Sequence, residues 1–151
     1  MPFIEFTYAA GTVSEQARES LARDLPLTVL RWEGAPDTEF FRDVTWTYFH
    51  EMPADRIMVD GRPAAPLRPR YKVDVTVPAG ALSERRRGGL IADVTALLVD
   101  ACEFGDSRDD AAMRVWVLVH EQPDGWWGAA GVPVPFAELR RIAAEQRTTQ
   151  E

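Results

Sequence analysis

The chain has few cysteines, few lysines and no long hydrophobic run, and each shortage excludes a class of protein. Its single cysteine, Cys102, cannot form an internal disulfide, which is typical of proteins in a reducing cytoplasm. No apolar run approaches the roughly 18 residues that cross a bilayer, and no charged-then-apolar leader opens the chain. Only Lys72 is a lysine, and the net charge of −7 argues against a nucleic-acid-binding surface. We therefore expect a cytoplasmic globular protein with no membrane or nucleic-acid partner.

What the chain does contain is an internal repeat. A shift of 69 places residues 4–7 (IEFT) on residues 73–76 (VDVT), and a shift of 70 aligns a second group of residues. In that group, Trp46, His50, Glu51 and Pro53 fall on Trp116, His120, Glu121 and Pro123. The length predicts one domain, in which repeat 1 spans about 2–66, repeat 2 spans about 70–135, and a C-terminal helix and tail occupy 136–151. The exception is Pro2, because its counterpart is Tyr71, a residue inside the chain.

Both repeats have the pattern of a strand, a helix and a second strand. The first predicts a strand over residues 3–8, an amphipathic helix after Ser14 that Pro26 should kink or break, and a strand over 45–51. Residues 52–66 have the composition of a loop. The second repeat predicts a strand over 71–77, a helix after Ser83, and a valine-rich strand over 113–121 that should be buried on both faces. A short helix over about 136–144 and a disordered tail over 148–151 complete the expected elements.

The order of these elements predicts the fold. Strands joined by connections of this length form right-handed crossovers and lie parallel. Two β-α-β units related by a pseudo-twofold axis give an α+β fold with a four-stranded sheet and two helices on one face. The other face keeps apolar side chains without a helix to cover them, so we expect the chain to oligomerise.

Three features together resemble the tautomerase superfamily. Met1-Pro2 leads directly into a strand, Gly11 and Gly80 turn the chain after the first strand of each repeat, and residues 125–131 (GWWGAAG) follow the last strand. Residues 49–54 (FHEMPA) are similar to a segment of cis-3-chloroacrylic acid dehalogenase, a fused two-unit member of this 4-oxalocrotonate tautomerase-like superfamily. The resemblance implies a homotrimer with a catalytic amino-terminal proline and no cofactor. The chain departs from the family at two positions of substrate-binding arginines, which hold Thr12 and Ala81.

Pro2 is the predicted catalytic residue. Methionine before proline is normally removed, and its removal would give Pro2 a free secondary amine. Burial among aromatic side chains, or a nearby cation, would lower the pKa of this amine and make it a base near neutral pH. We expect Pro2 to act as a general base on an enol or α-keto acid, so that the protein is a keto-enol isomerase of a small molecule. Trp127 and Trp116 are the predicted aromatic contacts of the substrate, and Arg70 and Arg114 are the predicted cations.

Two alternatives stay open. A protonated Pro2 would be a general acid, as the hydratase, dehalogenase and decarboxylase branches of the superfamily need. If Met1 is retained, the nitrogen of Pro2 is an amide, and the protein would be a trimeric scaffold or binding protein. His50 and His120 occupy equivalent places although only one repeat has the proline, so we predict a structural hydrogen bond for each of them. Neither histidine lies at metal-ligand spacing, and we expect no metal site.

Overall fold

The structure is a computed structural model that describes residues 1–105 and 107–150. It contains eight strands and five helices within those residues. In chain order they are β1 (Phe3–Ala9), α1 (Glu15–Glu33), α2 (Glu39–Asp43), β2 (Trp46–Met52), β3 (Met58–Val59), β4 (Arg62–Pro63), β5 (Tyr71–Pro78), α3 (Glu84–Ala101), α4 (Arg108–Ala112), β6 (Val115–Gln122), β7 (Gly128–Ala129), β8 (Val132–Pro133) and α5 (Phe136–Gln150). Among the helices described, none has the length and apolar character that crossing a membrane requires.

The main sheet has four strands in the order β2-β1-β5-β6. β1 is parallel to β2, and β5 is parallel to β6, as the crossover connections require. β1 and β5 are antiparallel, with Phe3 opposite Thr76 and Thr7 opposite Lys72. The predicted α+β topology of two β-α-β units in one sheet is therefore confirmed. Because of this antiparallel pairing, the beginning of β1 lies beside the end of β5, and the beginning of β5 lies beside the end of β1.

The long helices begin at the predicted residues. The side chain of Ser14 accepts a hydrogen bond from the backbone of Ala17, and Ser83 caps α3 in the same way. The expected break at Pro26 is wrong, because α1 runs through that residue as one helix. Proline removes only one backbone donor, and the buried stripe that includes Leu21 and Leu25 packs on both sides of it.

Both long helices pack on one face of the sheet. The core there is formed by alternate residues of the central strands and by the apolar stripes of α1 and α3, and its fully buried members include Ile4, Phe6, Val73, Val75, Leu25, Leu90 and Val94. The other face of the sheet, which we call the free face, carries Trp46 and Trp116, with 60% and 69% of their surface exposed. The prediction that the last strand is buried on both faces is wrong, because β6 alternates and its Trp116 and Leu118 lie on the free face.

Several short elements were not predicted. Residues 52–66 contain the hairpin β3–β4, and residues 125–133 contain the hairpin β7–β8. The short helices α2 and α4 precede β2 and β6 at equivalent places of the two repeats. The predicted tail is wrong as far as Gln150, because α5 continues to that residue, and Glu151 lies outside the described residues.

Candidate active site

Pro2 immediately precedes β1, next to the end of β5. It is buried, and the free amino group in the structure belongs to Met1. Met1 lines two cavities, one of about 450 Å³ and one of about 430 Å³. Removal of Met1 would therefore free the nitrogen of Pro2 next to a residue position that borders both cavities.

The first of them, the aromatic cavity, is built from both repeats. Phe3, Trp46 and Tyr48 come from the beginnings of β1 and β2, and Trp126 and Trp127 come from the hairpin segment that follows β6. The rings of Phe3 and Tyr48 pack edge to face with centroids 4.9 Å apart. The structure thus brings the predicted Trp127 to the cavity beside Met1-Pro2.

The hairpin β7–β8 shapes one wall of the aromatic cavity. Gly125 and Gly131 have φ angles of 77° and 79°, in the left-handed region that favours glycine. The backbone N–H of Val134 donates to the carbonyl of Trp127 over 2.7 Å and closes the hairpin. Gly125 and Gly131 therefore supply the turns of the GWWGAAG segment, whose tryptophans line the cavity.

The second cavity, the polar cavity, lies on the helical side of Met1. It is lined by Glu33 at the end of α1, by Arg86 of α3, and by Arg140 and Arg147 of α5. Within the described part of the chain, no carboxylate forms an ion pair with Arg86, Arg140 or Arg147. Arg86 and Arg147 instead donate to the backbone carbonyls of Glu33 and Gly34. The polar cavity therefore offers several cations beside the amino terminus.

The amino terminus and Glu33 perturb each other. Burial lowers the pKa of the Met1 amine, and the negative charge of Glu33 partly offsets this effect. Burial also raises the pKa of Glu33 from 4.5 to about 7, and the charge of the amine partly offsets that. Both groups are thus shifted toward their neutral forms by loss of solvent. Sequence reasoning did not find Glu33, because a glutamate at the end of an amphipathic helix has the pattern of an ordinary solvated residue.

The other predicted substrate contacts lie elsewhere in the chain. Arg70, Arg114 and Trp116 line a third cavity of about 590 Å³ at the opposite end of β5. It is the pseudo-symmetric counterpart of the aromatic cavity, because Trp116 corresponds to Trp46 and the hairpin β3–β4 corresponds to β7–β8. Within one chain, these three residues are therefore not brought together with Pro2 and Trp127.

The third cavity has no amine at the position that corresponds to Pro2. Tyr71 stands there, and its backbone N–H donates to the carbonyl of Arg114 over 3.0 Å. The hydroxyl of Tyr71 donates to the carbonyl of Thr12 over 2.8 Å. Arg114 is 98% buried; its guanidinium lies 4.9 Å from the centroid of the Phe104 ring and 3.4 Å from Asp110. These contacts give Arg114 a structural role within the chain.

The two histidines make equivalent contacts on the free face. Nε2 of His50 lies 2.9 Å from a carboxylate oxygen of Glu5, and Nε2 of His120 lies 2.8 Å from one of Asp74. Glu5 and Asp74 are themselves equivalent in the repeat. The predicted structural hydrogen bond of each histidine is confirmed. No group of three or more possible metal ligands occurs among residues 1–105 and 107–150.

The sequence matches no protein-family model and no curated protein. Solved structures do match. A fused 4-OT wild-type protein, solved as a symmetric trimer, is 19% identical with a TM-score of 0.67, and the match covers 94% of this chain and 98% of that one. A member of the cis-3-chloroacrylic acid dehalogenase family is also 19% identical, with a TM-score of 0.69 and coverage of 98% and 95%.

The chain has the tautomerase fold.

A further structure with this fold is of a protein inactivated by 2-oxo-3-pentynoate. It is 20% identical with a TM-score of 0.69, and the match covers 87% of this chain and 95% of the other. In the present chain, Met1 borders both the aromatic and the polar cavity, and Pro2 follows it. The pseudo-twofold axis of this fold relates the aromatic cavity to the third cavity, in which Tyr71 stands at the position of Pro2.

Proposed function

We propose that this protein is a cofactor-independent tautomerase in which Pro2, exposed by removal of Met1, is the general base. The observation that carries the proposal is the position of the amino terminus: Met1 lines both cavities, and burial lowers the pKa of its amine. Loss of solvent shifts an amine toward its neutral form, and a neutral secondary amine can accept a proton. The substrate is a small enol or α-keto acid, and the reaction moves a proton between oxygen and carbon.

The two cavities suit different parts of such a substrate. The aromatic cavity of about 450 Å³ has the size of a small-molecule site and offers Trp46 and Trp127 to an aromatic or apolar body. A carboxylate would be attracted to Arg86, Arg140 and Arg147 of the polar cavity. These arginines supply the cations that Thr12 and Ala81 do not. An aryl enolpyruvate, with a ring at one end and a carboxylate at the other, fits this division.

We further propose that the protein is a homotrimer that uses the free face as its interface. Trp46 and Trp116 are exposed on that face, and apolar surface of this kind is normally buried by a partner. One structural neighbour is a symmetric trimer. A role of Arg70 and Trp116 in substrate binding would require that they approach Pro2 of a neighbouring subunit. Sedimentation equilibrium should give three times the chain mass of 16.9 kDa.

The test combines intact mass with kinetics. Mass spectrometry should show that Met1 is absent, and enol-to-keto conversion of an aryl enolpyruvate should be followed in wild type and Pro2→Ala. We expect the substitution to lower kcat by about 100-fold or more, since general base catalysis contributes that much. Pro53→Ala is the matched control and should retain full activity, because Pro53 is an exposed proline in the loop after β2.

Covalent labelling is the second arm of the test. The proline amine should add to the activated triple bond of 2-oxo-3-pentynoate, forming a nitrogen–carbon bond while the amine proton passes to the neighbouring carbon. Peptide mapping should locate the added mass on Pro2. Equal rates for wild type and Pro2→Ala, or a retained Met1 with no labelling of the terminus, would favour the scaffold or binding protein instead.

A further inference from the structure

Glu33 is held in place by contacts that converge on the end of α1. The indole N–H of Trp32, one residue earlier, donates to Asp93 of α3 over 2.8 Å. Gly34 ends the helix in the left-handed conformation, with a φ of 74°. A guanidinium nitrogen of Arg86 lies 3.4 Å from the backbone oxygen of Glu33. These contacts fix the backbone of Glu33 at the wall of the polar cavity.

The carboxyl group of Glu33 has no such partner. Glu33 is half-buried, and no described residue forms a hydrogen bond or an ion pair with its side chain. Its electrostatic neighbour is the amine of the chain terminus. An ionised carboxylate is also disfavoured at the C-terminal end of a helix, where the backbone carbonyls are negative. A carboxyl group that is left without a partner beside a reactive amine is suited to exchange a proton.

We propose that Glu33 is the second proton-transfer residue of this site and acts as the general acid while Pro2 acts as the base. The inference rests on the proposed function of Pro2 and adds the group that completes the reaction. It assigns catalysis to a residue of the polar cavity rather than to the tryptophans of the aromatic cavity.

Pro2 and Glu33 together account for both proton transfers of the reaction. Pro2 takes the enol O–H proton, the C–O bond becomes a carbonyl, and the electrons of the C=C bond take a proton from the Glu33 carboxyl group to form the C–H bond. Pro2 is then a cation and Glu33 an anion. Because Glu33 and the amino terminus both border the polar cavity, a proton can pass back from Pro2 to Glu33 through water and reset the site.

The charge states of the free site agree with this assignment. Burial raises the pKa of Glu33 to about 7 and lowers that of the amine of the chain terminus, which in the structure belongs to Met1. Both shifts favour the uncharged pair, a neutral amine beside a protonated carboxyl group, which is the state that the proposal requires. Activity requires both, and it should be lost below the pKa of the amine and above that of Glu33.

The pH dependence of kcat/KM in Glu33→Gln tests the proposal. Wild type should show a bell-shaped profile with an alkaline limb near pH 7. Glu33→Gln should lose the alkaline limb and about 100-fold or more in kcat. Its acid limb should stay close to that of wild type, because Glu33 is already uncharged at that pH. Glu33→Asp should recover part of the rate and the limb, and Glu19→Gln, on an exposed site of the same helix, should resemble wild type.

The outcomes separate this inference from the proposed function. If Pro2→Ala is inactive but Glu33→Gln keeps the full rate and both limbs, the inference about Glu33 is wrong and the role of Pro2 stands. If Pro2→Ala is fully active, the proposed function fails first. Should Glu33→Gln fold poorly by circular dichroism, a ¹³C NMR titration of the wild-type carboxyl groups decides. A Glu33 carboxyl that titrates near its ordinary value of 4.5 would overturn the proposal.

Discussion

Replacing Gly89 by alanine should destabilise the protein, although alanine is the better helix former. A Cβ atom at Gly89 would lie 2.2 Å from the ring of Trp32, well inside contact distance. The ring cannot move away freely, because its N–H is bonded to Asp93 over 2.8 Å. The close approach of α1 and α3 therefore depends on the absence of a side chain at this residue.

The expected magnitude follows from opposing effects. Alanine in a helix interior gains about 1 kcal/mol over glycine. Overpacking costs about 1–3 kcal/mol, and losing the hydrogen bond of Trp32 costs about 1 kcal/mol more. We expect Gly89→Ala to lower the free energy of unfolding by about 1–3 kcal/mol after the helix-propensity gain is subtracted.

Gly88 is the matched control, one residue earlier in the same helix. Its added Cβ would meet no atom within 4 Å, so Gly88→Ala should raise the free energy of unfolding by about 1 kcal/mol. Urea unfolding at a fixed protein concentration, with equal m-values for all three proteins, measures both changes. If Gly89→Ala were as stable as Gly88→Ala, the packing of Trp32 described above would be refuted.

Three further predictions concern the site and the core. The folded-state pKa of Glu33 is raised from 4.5 to about 7, so the free energy of unfolding of wild type should fall by about 3 kcal/mol between pH 4.5 and pH 7. Glu33→Gln should remove this fall, which unfolding curves at those two pH values would measure. Tyr71→Phe should lower the free energy of unfolding by about 1 kcal/mol through loss of its bond to the carbonyl of Thr12; no change would show that water replaces the bond. Leu25→Ala, at a fully buried site, should cost about 2–5 kcal/mol, and a cost near zero would contradict its place in the core.

The topology could be predicted because its signals are local and occur twice. Strand alternation and helix periodicity are read within each repeat, and the crossover rule then fixes strand direction. The last strand misled the prediction, because Trp116 and Leu118 are apolar yet lie on the free face. Apolar character alone does not distinguish a side chain buried within the chain from one left exposed at a sheet surface.

The site was only partly predictable. Met1-Pro2 and Trp127 stood out as motifs, whereas Glu33 gains its properties from residues distant in sequence. The residues around Glu33 come from α1, α3 and α5, which are far apart in sequence, so no local pattern predicts that they lie together. Arg70 and Arg114 were predicted from sequence but do not lie at the site. The antiparallel pairing of β1 and β5 places them at the end of the sheet opposite to Pro2 of the same chain.

The place of Met1 in both cavities has a consequence for purified samples of the protein. A chain that keeps Met1 would hold this side chain inside the proposed substrate site, and its Pro2 nitrogen would be an amide. A sample that mixes trimmed and untrimmed chains would therefore contain active and inactive sites side by side. Its specific activity would rise in proportion to the trimmed fraction.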